Sequence, residues 1–175
     1  MDAVITPKRP QNPSQKSHNS YIRTQILLRI FTFLATLSAS LVMALNKEAR
    51  DFGGFYVSAS YKSSPAFEFF VAGNAVVCCY SLISLPFLSN SVDGYVMPLL
   101  DLMTMGLIMA SASAATSIAY LGKKGNADIG WSMVCPYYSK FCERVGISLA
   151  FSYLGLLISL VICSLTTIYK TRQIA

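Results

Sequence analysis

The chain is written as four long apolar runs separated by shorter polar stretches. The runs cover about Ile26–Leu45, Ala66–Leu88, Met97–Leu121 and Ile147–Tyr169. A hydrocarbon core of about 30 Å needs about 20 apolar residues in helical form, and each run meets that length. None alternates apolar and polar positions over about 10 residues, as a membrane β-barrel strand would. Lipid offers no partner to exposed peptide groups, so a helix is the spanning form that remains. The pattern predicts an all-α integral membrane protein: a four-transmembrane-helix bundle over residues 23–172. Residues 1–22 hold Pro7, Pro10 and Pro13 among Lys, Ser, Asn and Gln. Such a segment buries little apolar surface and reads as a disordered cytoplasmic tail, with residues 173–175 as a second short tail. The string Pro7-Lys8-Arg9-Pro10 has PxxP spacing, but a solvated tail is its simpler meaning. The first run follows the tail and is long enough to span, so it reads as an uncleaved anchor.

Composition excludes the alternatives. Of 175 residues, 54% are hydrophobic and only 13% charged, against about 25% charged in a soluble domain. A chain this short has too little interior to hide that much apolar surface from water. The net charge of +6 does not imply a nucleic-acid partner, because the basic residues are scattered along the flanks of the spans. Four spans put both termini on one side. Lys8, Arg9, Lys16, Arg23, Lys170 and Arg172 lie there, against Lys47, Arg50, Lys62, Lys123, Lys124, Lys140 and Arg144 opposite. That count does not orient the chain. The basic residues nearest the first span precede it, and the loop cysteines Cys135 and Cys142 lie on the opposite side, which suits an oxidising compartment. Both facts place the termini in the cytoplasm.

Three charged residues fall inside the runs: Arg29, Glu68 and Asp101. An isolated charge at mid-bilayer costs about 2.5–3.5 kcal/mol even on the lenient insertion scale. Arg29 and Asp101 each sit about one turn in from the same side, roughly 5–6 Å deep at the helical rise. A guanidinium and a carboxylate level with each other on two helices can pair bidentately. The chain therefore predicts an intramembrane ion pair, Arg29–Asp101. Snorkelling explains Arg29 alone but leaves Asp101 without a partner. A proton relay through Asp101 wants a second titratable group, and the rest of the third span has none. Glu68 reads as a helix-start residue favoured by the dipole.

Small residues mark faces for close helix contact. On the third span Gly106, Ala110 and Ala114 recur every fourth position, and the fourth span carries Gly155 and Ser159 with Cys163 and Thr167. Packing within one bundle is the expectation for the third-span row. Asn74 reads as a hydrogen-bonding bridge between helices. Cys135 and Cys142 are expected as a disulfide rather than two free thiols, stabilising the loop by roughly 2–3 kcal/mol. Cys78, Cys79 and Cys163 read as small packing residues. The sole histidine is His18, and two cysteines do not complete a metal shell. No nucleophile–base pair, phosphate loop or carboxylate dyad is apparent, so neither an enzyme nor a cofactor is expected.

Several strings carry a resemblance. Asn46-Lys47-Glu48 follows the first span, and Ser64-Pro65-Ala66-Phe67 opens the second, which continues through Asn74-Ala75 to Tyr80-Ser81-Leu82-Ile83-Ser84-Leu85-Pro86. Leu100-Asp101, Ser113-Ala114-Ala115 and Ile118-Ala119-Tyr120-Leu121-Gly122-Lys123-Lys124-Gly125-Asn126 follow, then Gly130-Trp131, Val134-Cys135 and Lys140-Phe141-Cys142. In order and spacing these resemble group 1 of the plant Casparian strip membrane domain protein-like family, over about Arg23–Arg172. The resemblance implies a plasma-membrane tetraspan protein, distantly MARVEL-like, that forms homo- and hetero-oligomers. It maps the family's first-span Arg and third-span Asp onto Arg29 and Asp101. It also implies a scaffold, since the founding members build a membrane domain that blocks diffusion and recruits wall-modifying enzymes. Residues 47–63 lack the aromatic- and Gln-rich loop signature of the strip-forming members, so a related scaffold role elsewhere is the inference. The expected function is a non-enzymatic scaffold that oligomerises laterally in membrane lipid and turns its outer loops toward cell-wall or extracellular partners. The competing reading is a small transporter or channel subunit that uses Asp101.

Overall fold

The computed structural model describes residues 13–51, 53, 56–89 and 96–174. Four long helices form: α1 Pro13–Ala44, α2 Pro65–Ser89, α3 Val96–Lys124 and α4 Ser139–Ile174. Within them the stretches 19–44, 65–88, 96–124 and 139–171 are long and apolar enough to cross a membrane. Each helix packs on its sequence neighbours, and α4 closes the ring on α1.

Among the described residues the bundle buries as many polar side chains as apolar ones. α1 buries Gln25, Arg29, Thr32, Thr36, Ala39 and Met43 while Leu27, Phe31, Leu34 and Leu41 face outward. Lipid accepts leucine as readily as a core does but offers hydroxyls and charges no partner, so the polar stripe turns inward. The buried positions step by alternating threes and fours. On α2 they are Phe67, Phe70, Asn74, Val77, Ser81 and Ser84, and on α4 Ser148, Ser152, Gly155, Ser159, Ile162 and Thr166. That spacing averages about 3.5 residues, the repeat that keeps one seam of each helix facing its neighbours.

Small residues decide how near the helices come. A Cβ added at Gly73 would lie 2.9 Å from the Ser111 side chain, and one at Gly155 would lie 3.2 Å from Thr36 Cγ2. These glycines set the α2–α3 and α1–α4 contacts, and Ser159 is buried beside the latter. The Gly106–Ala110–Ala114 row corrects the expectation of packing within the bundle. Gly106 and Ala110 are exposed and Ala114 is half-buried, and a Cβ at Gly106 would meet nothing within 4 Å. The seam of α3 is the adjacent face, through Asp101, Ile108, Ser111, Ala112 and Ala115. That face carries Asp101, which must be enclosed, and it turns the small row toward lipid.

Other differences have local causes. Residues 13–22, expected as tail, are the opening turns of α1. Pro13 suits a first helical position, nothing after it breaks the helix, and Tyr21 stacks on Tyr169 of α4 with ring centroids 4.0 Å apart. The PxxP string lies outside the described residues. α4 begins at Ser139, well before its apolar run, and continues to Ile174, through most of the expected short tail.

The loop after α1 is a β-hairpin, unforeseen from the chain: β1 Lys47–Asp51 pairs antiparallel with β2 Tyr56–Ser60, Lys47 opposite Ser60. The chain carries only part of a hairpin signal, Gly53-Gly54 ahead of the β-prone Tyr56-Val57, because Lys47–Asp51 is built from residues with low strand preference. α3 ends at Gly125, whose φ is +66°, and a Cβ there would sit 2.7 Å from the Trp131 carbonyl. Only glycine fits that left-handed exit. The chain then folds back, and the Val134 and Cys135 amides donate to the Gly122 carbonyl at 2.9 and 3.0 Å.

Gly73→Leu should push α2 from α3 and lower stability by about 1–3 kcal/mol. Gly106→Leu should leave the melting temperature of the detergent-solubilised chain unchanged. Thermal unfolding of both variants is the check, and equal effects would contradict the assigned seam.

Candidate functional site

Two constructions stand out, one at each end of the bundle. The first is at the end that carries the chain termini. Arg29, one turn above Gln25 on α1, reaches across to α3. Its Nη2 donates to both Asp101 oxygens at 2.8 Å each, and its Nη1 donates to Ser84 Oγ on α2 at 2.8 Å. The two charged side chains are 4% and 3% exposed. The pairing differs from a two-nitrogen fork: one nitrogen straddles the carboxylate and leaves the other for the serine. Tyr80 Oη donates to Asp101 Oδ1 at 2.6 Å, and the guanidinium carbon lies 5.6 Å from the Tyr80 ring centroid, within cation–π range.

Four side chains from three helices thus close one neutral cluster. Removing two charges from water costs several kcal/mol per ion unless geometry and added hydrogen bonds offset it. Here Ser84 and Tyr80 supply the added bonds. The gap beside the cluster, touched by Ser159 and Ile162 of α4, is about 10 Å³, room for at most one water. Tyr80 and Ser84 are the site residues that reading the chain missed. They are an i, i+4 pair on α2, and a lone carboxylate's need for further donors was the available signal.

Farther along, polar groups bridge the helices one by one. Asn74 takes a hydrogen bond from Ser152 of α4 at 2.9 Å and returns its amide to the Phe70 carbonyl. Ser148 donates to the Ala39 carbonyl at 2.7 Å.

The second construction, at the hairpin end, joins the two long loops. Asn46 Nδ2 donates to the Phe141 carbonyl at 2.9 Å, and Glu48 accepts from the Phe141 amide at 2.8 Å. Phe141 lies in the first turn of α4, where amides lack helical partners, so a carboxylate from the first loop caps the last helix. That hydrogen bond, aided by Arg50 3.0 Å away, holds the Glu48 carboxyl below its ordinary value of 4.5. Tyr138 Oη donates to the Val57 carbonyl in β2 at 3.1 Å. Cys135 and Cys142 form a disulfide, Cα atoms 5.7 Å apart, that ties the second loop to the same first turn of α4.

The sequence model of the Casparian strip membrane protein domain matches residues 19–158. This chain belongs to the Casparian strip membrane protein family. It is 40% identical to CASP-like protein 1F2 of Populus trichocarpa over 98% of both chains. It is 41% identical to CASP-like protein 1F1 of Ricinus communis over 93% of this chain and 94% of that one. It is 34% identical to Casparian strip membrane protein 1 of Lactuca sativa over 83% and 87%. No solved structure matches it. The family match spans Arg29, Tyr80, Ser84 and Asp101 and both halves of the hairpin-end clasp. The chain is a multi-pass membrane protein of this family.

Within this CASP-like bundle, Arg29→Met or Asp101→Leu alone should each cost about 3–5 kcal/mol by stranding a buried charge. The double variant should cost less than the sum, giving a measurable coupling in a double-mutant cycle. Unfolding in nanodiscs reads it, and simple additivity would dissolve the pair. For Glu48, a folded-state value below 4.5 means its contribution is complete at neutral pH and is lost as pH falls through that depressed value. The protection factor of the Phe141 amide, taken against the intrinsic exchange rate at each pH, should hold down to pH 4.5 and fall as pH drops further through the depressed Glu48 value. Glu48→Gln should flatten that dependence.

Proposed function

We propose that this CASP-like protein is a non-enzymatic plasma-membrane scaffold: a rigid four-helix unit that associates laterally and presents its hairpin-end loops to the outside. The observation that carries the reading is the enclosed Arg29–Asp101–Tyr80–Ser84 cluster. Its two charges pair with each other and are hydrogen-bonded by Tyr80 and Ser84 of α2, so they fix a shape instead of lining a path. The competing transporter reading needs a carboxylate facing water, and Asp101 is buried. Family membership supports the same role, since the relatives are named for a membrane strip.

Lateral association is supported by the exposed Gly106 and Ala110, which let a second helix approach closely. Homo-oligomers and hetero-oligomers with related tetraspan chains would use that surface. The Cys135–Cys142 disulfide, which suits an oxidising exterior, supports an orientation with the termini in the cytoplasm. Outside, the hairpin and the 125–138 loop are held as one surface by Asn46, Glu48 and Tyr138, a fixed platform for cell-wall or extracellular partners.

Single-molecule photobleaching of fluorescent chains at low density in supported bilayers tests the reading. Multi-step bleaching is expected, collapsing toward single steps in a Gly106→Leu/Ala110→Leu variant. A wild-type chain that bleaches in single steps sinks the scaffold proposal. A glycosylation acceptor inserted between β1 and β2 should be modified in cells, and one near His18 should not.

A further inference from the structure

A half-open cavity of about 450 Å³ lies at the hairpin end between the last turns of α3 and the first turns of α4. That is within the roughly 300–1,000 Å³ usual for small-ligand sites. Its inner wall is apolar, from the buried Phe67, Phe141 and Val145 with the part-buried Ala119. Its exposed edge is polar, with Lys123 from the end of α3 and Ser63 beside α2. The Cys135–Cys142 disulfide forms part of one side.

Two glycines hold the slot open from facing helices. A Cβ at Gly146 of α4 would meet nothing within 4 Å, and one at Gly122 of α3 would touch only Cys135 Sγ at 3.9 Å. The neighbouring Tyr120 and Ile147 are exposed, so the apolar interior is continuous with surfaces that face lipid. α3 changes there from an apolar run to Lys123-Lys124, the composition of a boundary between hydrocarbon and headgroups.

We propose that this cavity is a binding site for an anionic phospholipid of the leaflet at the hairpin end, with one acyl chain against Phe67, Phe141 and Val145 and the phosphate at Lys123. An apolar slot closed by an ammonium and a hydroxyl matches the two ends of such a molecule. Lys123, with Lys124 next to it in the chain, gives the slot's edge the positive charge that a phosphate attracts. The occupant is drawn from the membrane because the exposed Tyr120, in the apolar run of α3, itself lines the slot.

The test uses the full chain in phosphatidylcholine nanodiscs doped with phosphatidylglycerol that carries a photoactivatable diazirine in one acyl chain. Matched phosphatidylcholine and sterol probes serve as the other arms, and adducts are mapped by peptide mass spectrometry. The phosphatidylglycerol adducts should concentrate on the first turns of α4 and the end of α3, saturate with probe, and be competed by unlabelled phosphatidylglycerol. Gly146→Leu and Ala119→Leu fill the slot from opposite walls. Each should lower these adducts about tenfold by excluding buried methylenes, while adducts near Leu157 stay unchanged. Lys123→Gln should weaken phosphatidylglycerol labelling about fivefold and leave phosphatidylcholine labelling alone. Wild-type labelling that rises linearly without competition, or that is spread evenly over lipid-facing peptides, overturns the site. Filled variants that melt normally yet label fully do the same. Equal labelling by both phospholipids, or preferential labelling by the sterol, overturns the anionic assignment.

Discussion

Arg29 enters an apolar bundle only in company. Its guanidinium has no water to return to, so the fold must gather its partners from elsewhere in the chain. Asp101 supplies the charge, Ser84 accepts from a second guanidinium nitrogen, and Tyr80 donates to the carboxylate. The consequence is geometric: three helices must stand at one relative depth and rotation for the four side chains to meet. The inward polar stripe of α1 follows from the same need, as does the outward turn of the small-residue row on α3.

The opposite end of the bundle is held by different forces. There the buried cluster is aliphatic and aromatic, with Phe67 and Phe141 edge-to-face at 6.1 Å. Over it the hairpin reaches α4 through Asn46 and Glu48, and the disulfide fastens the second loop to that same turn. Each contact joins segments distant in the chain. The two loops therefore form one surface and not two independent flaps. The apolar slot below them lies where this loop assembly meets the lipid-facing helices, between a rigid cap and a fluid surround.

Small residues play two opposed parts. Gly73 and Gly155 are consumed inside, where backbones and side chains approach too closely for a Cβ. Gly106 and Ala110 remain at the surface, available to other helices. The same residue types at the same spacing thus serve cohesion of the unit or contact between units, and only the rotation of each helix separates the two.

The spans were legible in the chain because lipid imposes a length and a composition on any helix that crosses it, and both are written locally. The level placement of Arg29 and Asp101 was legible too, since depth follows from counting residues inward from a span's edge. The 3.5-residue seam was also present in the order of residues, but hydroxyls and leucines mix on every helix, and periodicity does not say which face is inside. Tyr80, Ser84, the Asn46 and Glu48 clasp and the rotation of α3 were decided by tertiary structure. They depend on where a second or third segment arrives, and a hydrogen bond spanning 93 positions, such as Glu48 to Phe141, leaves no local pattern in either partner.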